Sequence, residues 1–504
     1  MKYVFYTLAL GACAFTSLQA AADRPNVLLI CVDDLKPNMG CYGDALAKTP
    51  NLDRLAARGM RFDLAYCNQA VCAPSRNNLL LGSRSTSLGI YSLSENFRTA
   101  VPDAVTLPQY FMNNGWRTEA IGKILHTGHG NHDDDASWSV PAIKEKVIEY
   151  LKPENSANGQ LTREEAFFTN QKLGNIKSLP RGAAWEMADV PDNAYADGRI
   201  ADAGIQRLRF AKENPGQPLF LALGFVKPHL PFTAPKKYWD MHDRAAFPLA
   251  SRDLPPEDAP SYAGKTLGEL NNYDPVPVDP PLTEDMQRTL IHGYYSAVSF
   301  VDAQLGRVLD ELDRLELADK TLIVLWGDHG WHLGDHGMWT KHTNYEQANR
   351  IPLFIVAPGV TQAGSATKQL AETVDVFPTL VELAHLPAFT GPQPTDGTSL
   401  VPVLRDPAAR VRDHAYHAFP RQRQGKPVIG RAIRTERYRL VEWKNPGAAP
   451  DTADLELYDY QDDPLETHNL AMTKPEVVAE LRVILNRHPE AVSPPNQKKK
   501  PSKN

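Results

Sequence analysis

Five stretches of the chain carry residue types that could do chemistry together. Asp33 and Asp34 follow the apolar run Asn26–Val32 (NVLLICV), and Lys123 and His126 follow a shorter run at 118–122. Lys227 and His229 follow 218–226 (PLFLALGFV), and Asp328 and His329 follow 321–326 (TLIVLW). Carboxylates brought close together cannot all stay ionised without a counter-charge. Oxygen donors suit a hard divalent cation, Ca²⁺ or Mg²⁺ before zinc, although His329 softens that preference. The fifth stretch is Cys72-Ala73-Pro74-Ser75-Arg76, followed by Leu81-Gly82-Ser83-Arg84. Cys72 stands at an expected helix start, where free N–H groups favour anions, and Arg76 lies one turn on. That place suits a thiolate nucleophile; a structural disulfide with Cys67 or Cys41 is the alternative.

Positioning these groups takes strands. Ligands of open α/β sheets bind outside the carboxyl ends of the strands, and four separate apolar runs here deliver ionisable residues to that edge. Continuous apolar runs are expected of strands buried on both faces of a parallel sheet. Between them lie helical patterns: Thr49 as N-cap with Pro50 at the first position, running to Met60, then 107–114, 199–211 and the amphipathic 283–315. A further strand is expected at 352–356. The alternation predicts an α/β fold, a large mostly parallel sheet sandwiched by helices. Residues 245–282, dense in Pro and acids, read as a long surface excursion. After about residue 400, short strand-like runs at 415–419, 431–433, 438–443 and 455–460 and a helix at 475–486 predict a small antiparallel α+β subdomain.

The expected organisation is a signal peptide at 1–22 ending in Ala20-Ala21-Ala22, a catalytic domain at 23–400, a C-terminal subdomain at 401–490 and a disordered basic tail at 491–504. Leu10-Gly11-Ala12-Cys13 offers lipid attachment at Cys13 as an alternative to cleavage. No later segment has the ~20 apolar residues that span a bilayer, so an exported protein, periplasmic or secreted, is expected. The 504 residues carry a net charge of −6, without the basic stripe that nucleic acid requires. All five cysteines fall within the first seventy-two positions, and a chain this long needs no cysteine staples for its core.

The Cys72–Arg76 pentapeptide resembles the C-x-P-S-R signature of the type I, formylglycine-dependent sulfatases of the alkaline phosphatase superfamily, and Leu81-Gly82-Ser83-Arg84 is similar to its usual continuation. VDDLKP, GCYGD, QAVCAPSR, KPHLPF, SAVSFVDAQLGR, GDHGWHLGDHGMWTK, RAIRTERYR and LYDYQDDPLETHNL extend the resemblance over roughly 25–470, with the iduronate-2-sulfatase branch most similar. The resemblance implies an alkaline phosphatase-like fold and a sulfuric ester hydrolase. It implies that a formylglycine-generating enzyme oxidises Cys72 to Cα-formylglycine. One Ca²⁺ per chain would be held by Asp33, Asp34, Asp328, His329 and the modified Cys72. Arg76 would steady the formylglycine, Lys123 and Lys341 would hold sulfate oxygens, His229 would act as general acid and His126 would deprotonate the second hydroxyl of the gem-diol. Lys227 has no implied role.

The implied substrate is a sulfated saccharide, of glycosaminoglycan or other polysaccharide origin. Arg434, in a matching stretch, points to an anionic sugar, while 128–190 and 390–430 are only loosely similar and leave the sugar open. A sister phosphonate monoester or phosphodiester hydrolase is one rival. The other is a catalytically retired glycan-binding protein, which predicts a broken constellation and an unmodified Cys72. The cluster His126, His129, His132, Asp133, Asp134 and Asp135 reads as a polar loop with one catalytic His rather than a second metal site. Asp335 and His336 read as shaping the site. Trp331 and Trp339 could stack on a sugar, and Trp326 reads as core.

Overall fold

A computed structural model of the chain describes residues 24–493 apart from 173 and 280. The expected signal peptide, with Cys13, and the tail beyond 493 lie outside the described residues. The strands β1 (Asn26–Val32), β2 (Met60–Phe62), β3 (Arg117–Gly122), β4 (Leu219–Phe225), β5 (Thr321–Gly327), β6 (Leu353–Val356) and β7 (Ser365–Thr367) form one seven-stranded sheet in the order β7-β2-β6-β5-β1-β4-β3. The block β5-β1-β4-β3 is parallel. β6 runs antiparallel between β5 and β2, and β7 pairs parallel with β2.

Alternate residues of β1 feed two cores, as a strand period of two requires. Leu28, Ile30 and Val32 pack on the face covered by α4 (Ala196–Glu213) and α5 (Glu284–Arg314). Val27, Leu29 and Cys31 pack with α2 (Cys72–Leu81), α3 (Leu107–Asn113) and α6 (Val376–Leu383). Every residue of α2 is buried, so this helix has no solvent face. α1 (Pro50–Arg58) ends two residues before the expected Met60, which instead opens β2. Its cap also differs: the Thr49 hydroxyl accepts from Gly40 N at 3.0 Å, and the first-turn N–H groups of Asn51 and Leu52 donate to Asp302 Oδ1 of α5 at 3.0 and 2.7 Å.

Val32 lies beside both Gly327 and Phe225 in register, and the ladder continues through Asp33 N–H to Phe225 O and Asp328 N–H to Val32 O, both 3.2 Å. Asp33 and Asp328 therefore leave the sheet at one level. Lys123 reaches that level because β3 ends on Gly122 beside Gly224 of β4: a Cβ on Gly122 would lie 2.2 Å from Gly224 O, and one on Gly224 2.2 Å from Lys123 O.

The C-terminal strands β8 (Ala415–Arg423), β9 (Lys426–Arg434), β10 (Tyr438–Lys444) and β11 (Asp454–Asp459) form an antiparallel sheet in chain order, joined by α7 (Pro475–Leu485). β8 and β9 extend beyond the apolar runs because Gln424 and Gly425, both at positive φ (50° and 75°), make the two-residue turn that closes a hairpin. This sheet buries Phe419, Val428, Val441 and Trp443 against Val71, Ala263, Met338 and Tyr345 of the larger layer, directly behind Cys72. Among the described residues, no helix is long and apolar enough to cross a membrane.

Candidate active site

At the carboxyl edge of the parallel strands the chain turns sharply after β1. Asp34 takes φ 58°, a left-handed conformation Asp tolerates, and its N–H donates to Asp328 Oδ1 at 2.9 Å. Cys72, at the first position of α2, lies 3.3 Å from His329 Nε2 through Sγ. Arg76, fully buried one turn along α2, fixes two of the carboxylates: Nη2 lies 2.9 Å from Asp33 Oδ1 and Nε donates to Asp328 Oδ2 at 3.1 Å. Its planar fork suits that double engagement. Ser75 Oγ donates to Asp328 O at 2.5 Å.

Two lysines complete the charge pattern. Lys123 pairs with Asp33 Oδ2, and Lys341 Nζ donates to Asp34 Oδ1 and Oδ2 at 2.9 and 3.1 Å. Burial alone would raise the Asp33 carboxyl, but Lys123 and Arg76 outweigh it and hold Asp33 well below the usual carboxylate range. In Asp328 burial prevails, with repulsion from Asp33, and pushes the carboxyl up to about 6. Burial also pushes the Cys72 thiol up, against Lys123 and Lys341. The thiolate suggested by the helix start is therefore disfavoured.

His229 is held by its own turn. Lys227 Nζ donates to His229 O at 2.8 Å and to Pro231 O at 2.7 Å, and the N–H groups of Val226 and Lys227 donate to the Asp197 carboxylate at 2.7 and 2.9 Å. This gives Lys227 a place the chain's spacing did not reveal. His229 Nδ1 lies 2.5 Å from Leu230 O, and Nε2 lies 3.1 Å from Glu269 Oε1. Burial works against a charged imidazole there, but Glu269 overrides it and lifts His229 to about 9. His126 is the opposite case: burial, reinforced by Lys123, holds it well below its ordinary value. Its Nε2 meets His129 Nδ1 at 3.2 Å and its Nδ1 is buried without a partner.

Glu269 is the residue sequence reasoning missed. Its Oε2 lies 2.9 Å from Lys341 Nζ. The supposed surface excursion dips into the protein at Gly268–Asn272, because Leu267, Leu270 and Tyr273 are buried on either side of Glu269. The three-residue spacing of those apolar side chains was the available signal.

The remaining candidates are buried or paired within the protein. Arg434 is engaged within the protein: it pairs with Glu346 at 3.2 Å and stacks on Tyr460, its guanidinium 3.5 Å from the ring centroid. Trp331 and Trp339 are buried to 1% and 3% exposure, like Trp326 at 0%, so none presents a ring to a sugar; Trp331 instead lies under the Lys341 ammonium. His129 stacks on Phe167 and Asp134 pairs with Arg98, leaving no metal-like grouping in that loop among the described residues. Asp335 lies 3.8 Å from Lys36 and His336 packs on Tyr345. Cys31, Cys41, Cys67 and Cys72 are all free.

Potential ligand atoms of Asp33, Cys72, Asp328 and His329 lie within 4.8 Å of one another, as do those of Asp33, Asp34, Cys72 and His229. A buried set led by carboxylate oxygens can coordinate a metal ion. A cavity of about 800 Å³ is lined by Val71 and His342, the chain neighbours of Cys72 and Lys341, and by His129, which meets His126. Lys172, Lys265 and Arg421 also line it, and no carboxylate is among its described lining residues.

Residues 25–386 match the family described as Sulfatase, and residues 334–490 match N-sulphoglucosamine sulphohydrolase, C-terminal. Iduronate 2-sulfatase of Mus musculus is 32% identical over 519 residues, covering 90% of this chain and 91% of that protein. A sulfatase of Formosa agariphila is 30% identical over 497 residues, covering 92% of this chain and 88% of its own. A protein solved in complex with its substrate D-glucosamine-2-N,6-O-disulfate aligns at TM-score 0.71 and 22% identity over 92% of this chain and 97% of that one. Phosphonate monoester hydrolase from Silicibacter pomeroyi aligns at 0.71 and 22%, over 92% and 95%. These two likenesses show the fold; the sequence matches reach further, over most of the described chain. The chain belongs to the sulfatase family.

Proposed function

We propose that this sulfatase hydrolyses sulfate esters of an anionic carbohydrate, with Cys72 oxidised to Cα-formylglycine by a formylglycine-generating enzyme and one Ca²⁺ held by Asp33, Asp34, Asp328, His329 and the modified residue. The observation that carries the reading is the convergence on Cys72 of three carboxylates, Arg76, two lysines and two histidines from strand ends, the helix α2 and a loop. Hard oxygen donors at the cluster fit Ca²⁺. Burial raises the Cys72 thiol and so disfavours a plain thiolate there.

When bound, Ca²⁺ supplies positive charge that stabilises a sulfuryl oxygen and lowers the pKa of a nucleophilic hydroxyl. Hydrated formylglycine at Cys72 would supply two hydroxyls on one carbon, one as nucleophile and one to let sulfate go, where Ser or Cys would remain a stable ester. Lys123 and Lys341 hold sulfuryl oxygens as charge builds on them. Arg76 keeps Asp33 and Asp328 in place. His229 gives the Nε2 proton to the departing oxygen, since Nδ1 is engaged with Leu230 O. His126, neutral and with a free Nδ1, accepts the proton of the second hydroxyl.

Lys172, Lys265 and Arg421 in the adjoining cavity favour an anionic substrate. Structural neighbours described as a 2-O GAG sulfatase and as a complex with k-i-k-neocarrahexaose support a saccharide. Residues 1–22 support export to the periplasm or beyond.

Peptide mass spectrometry of the protein from its own host is expected to find an aldehyde at Cys72, and thiol alone would refute the reading. Cys72→Ala is expected to cut sulfate-ester turnover by roughly 10⁴-fold or more. A wild-type preference for phosphonate monoesters over sulfate esters would replace the sulfatase assignment with that of the sister hydrolase.

A further inference from the structure

Glu269 meets both His229, assigned to the departing oxygen, and Lys341, assigned to a sulfuryl oxygen, and no carboxylate of the metal cluster does the same. Its Oε1 faces His229 Nε2 at 3.1 Å and its Oε2 faces Lys341 Nζ at 2.9 Å. Asp33 and Asp328 face Arg76, and Asp34 faces Lys341 but not the imidazole. The His229 ring has a fixed assignment of nitrogens: Nδ1 contacts a carbonyl, an acceptor only, so Nδ1 carries a hydrogen and Nε2 is the atom left for a substrate. Phe168 closes the other side with its ring edge-on, 5.5 Å between centroids. Glu269 is itself immobilised by the burial of Leu267, Leu270 and Tyr273.

We propose that Glu269 is the positioning residue of the leaving group: its carboxylate holds His229 Nε2–H and the Lys341 ammonium side by side until the substrate's ester oxygen takes the Nε2 hydrogen bond from it. This rests on the reading of His229 as general acid. As the S–O bond breaks, its electron pair stays on the departing oxygen and the Nε2 proton passes to it. The imidazole is left neutral, with Nδ1–H still donating to Leu230 O. One of the protons released by the two gem-diol hydroxyls returns to Nε2 through solvent, and Glu269 accepts from it again. A phenolate leaves without help, whereas a sugar or alkyl alkoxide needs the proton, so the contribution of Glu269 grows with leaving-group basicity.

The test uses the full, host-matured enzyme with 4-nitrophenyl sulfate and an unactivated alkyl or sugar sulfate. Glu269→Gln is expected to lower kcat about 100-fold on the unactivated ester and less than about 5-fold on the aryl ester. His229→Ala should show the same selectivity, and the double variant should be no slower than His229→Ala alone, because the two act as one unit. Glu269→Asp should recover part of the loss. Equal losses on both esters, no loss on either, or a change confined to KM would overturn the proposal. Glu269→Asp carries the same comparison if Glu269→Gln does not fold, and failure of both to fold assigns Glu269 to the fold alone and overturns it. Should the wild type turn over phosphonate rather than sulfate esters, the functional reading fails separately, and aryl and alkyl phosphonate monoesters then decide Glu269 by the same ratio.

Discussion

Lys227 directs its ammonium at two carbonyls, His229 O and Pro231 O, rather than at a ligand. A buried lysine in that arrangement acts as a clamp on the turn that presents His229. Its neighbour Asp197 secures the other end by accepting from two backbone N–H groups. Lys227→Met keeps the length of the side chain and removes the donors, leaving two buried carbonyls unsatisfied. We expect a loss of about 1–3 kcal/mol in chemical denaturation, and a fall in kcat on unactivated sulfate esters that exceeds any change in KM. An unchanged kcat in a folded Lys227→Met protein would show that the turn holds His229 without it.

The short helix Glu346–Asn349 ties the large sheet to the C-terminal one. Glu346 Oε2 lies 3.2 Å from Arg434 Nε and 2.7 Å from Arg439 Nη2, while Tyr66 OH donates to Oε1 at 2.9 Å. Burial would raise Glu346, but the two guanidiniums overcome it and hold the carboxyl at about 2, below its ordinary 4.5. The sign follows from linkage: the unfolded chain takes up this proton first. The pair's contribution is therefore complete above pH 4.5 and is lost as pH falls towards 2, a change of roughly 3 kcal/mol. Denaturation midpoints measured across that window should slope for the wild type and flatten for Glu346→Gln. The variant should also be less stable at neutral pH, since Arg439, at 0% exposure, would keep only Glu466 as its acidic partner.

At the scale of the molecule, the carboxylate cluster joins the ends of β1 and β5 to the start of α2, so a cation bound there is linked to the folding of the whole sheet. Saturating Ca²⁺ is expected to raise Tm in calorimetry, with about 2.7 kcal/mol of added stability at a hundredfold excess over Kd. Chelation should abolish sulfate-ester turnover and lower Tm together. A Tm and a rate both indifferent to chelator would remove the cation from the reading. The C-terminal sheet belongs to the same unit, because Trp443 and Phe419 pack with Val71 immediately before Cys72.

Much of the site was legible in the sequence because it hangs on strand ends. An apolar run that must be buried on both faces stops where its first charged residue appears, and in-register parallel neighbours bring those stops to one edge; Asp33, Lys123, His229 and Asp328 follow from that rule. The C-x-P-S-R pentapeptide needed only its own residues and a helix start. The hairpin over Gln424-Gly425 was harder to see, since its polar outer half has no apolar pattern. Glu269, the clamp of Lys227 and the neutralisation of Arg434 by Glu346 were decided only by tertiary structure. Each joins segments that no local pattern pairs, Arg434 and Glu346 being 88 positions apart. Whether a charged side chain faces substrate or another charge depends on which backbone packing carries to it, and spacing along the chain does not encode that.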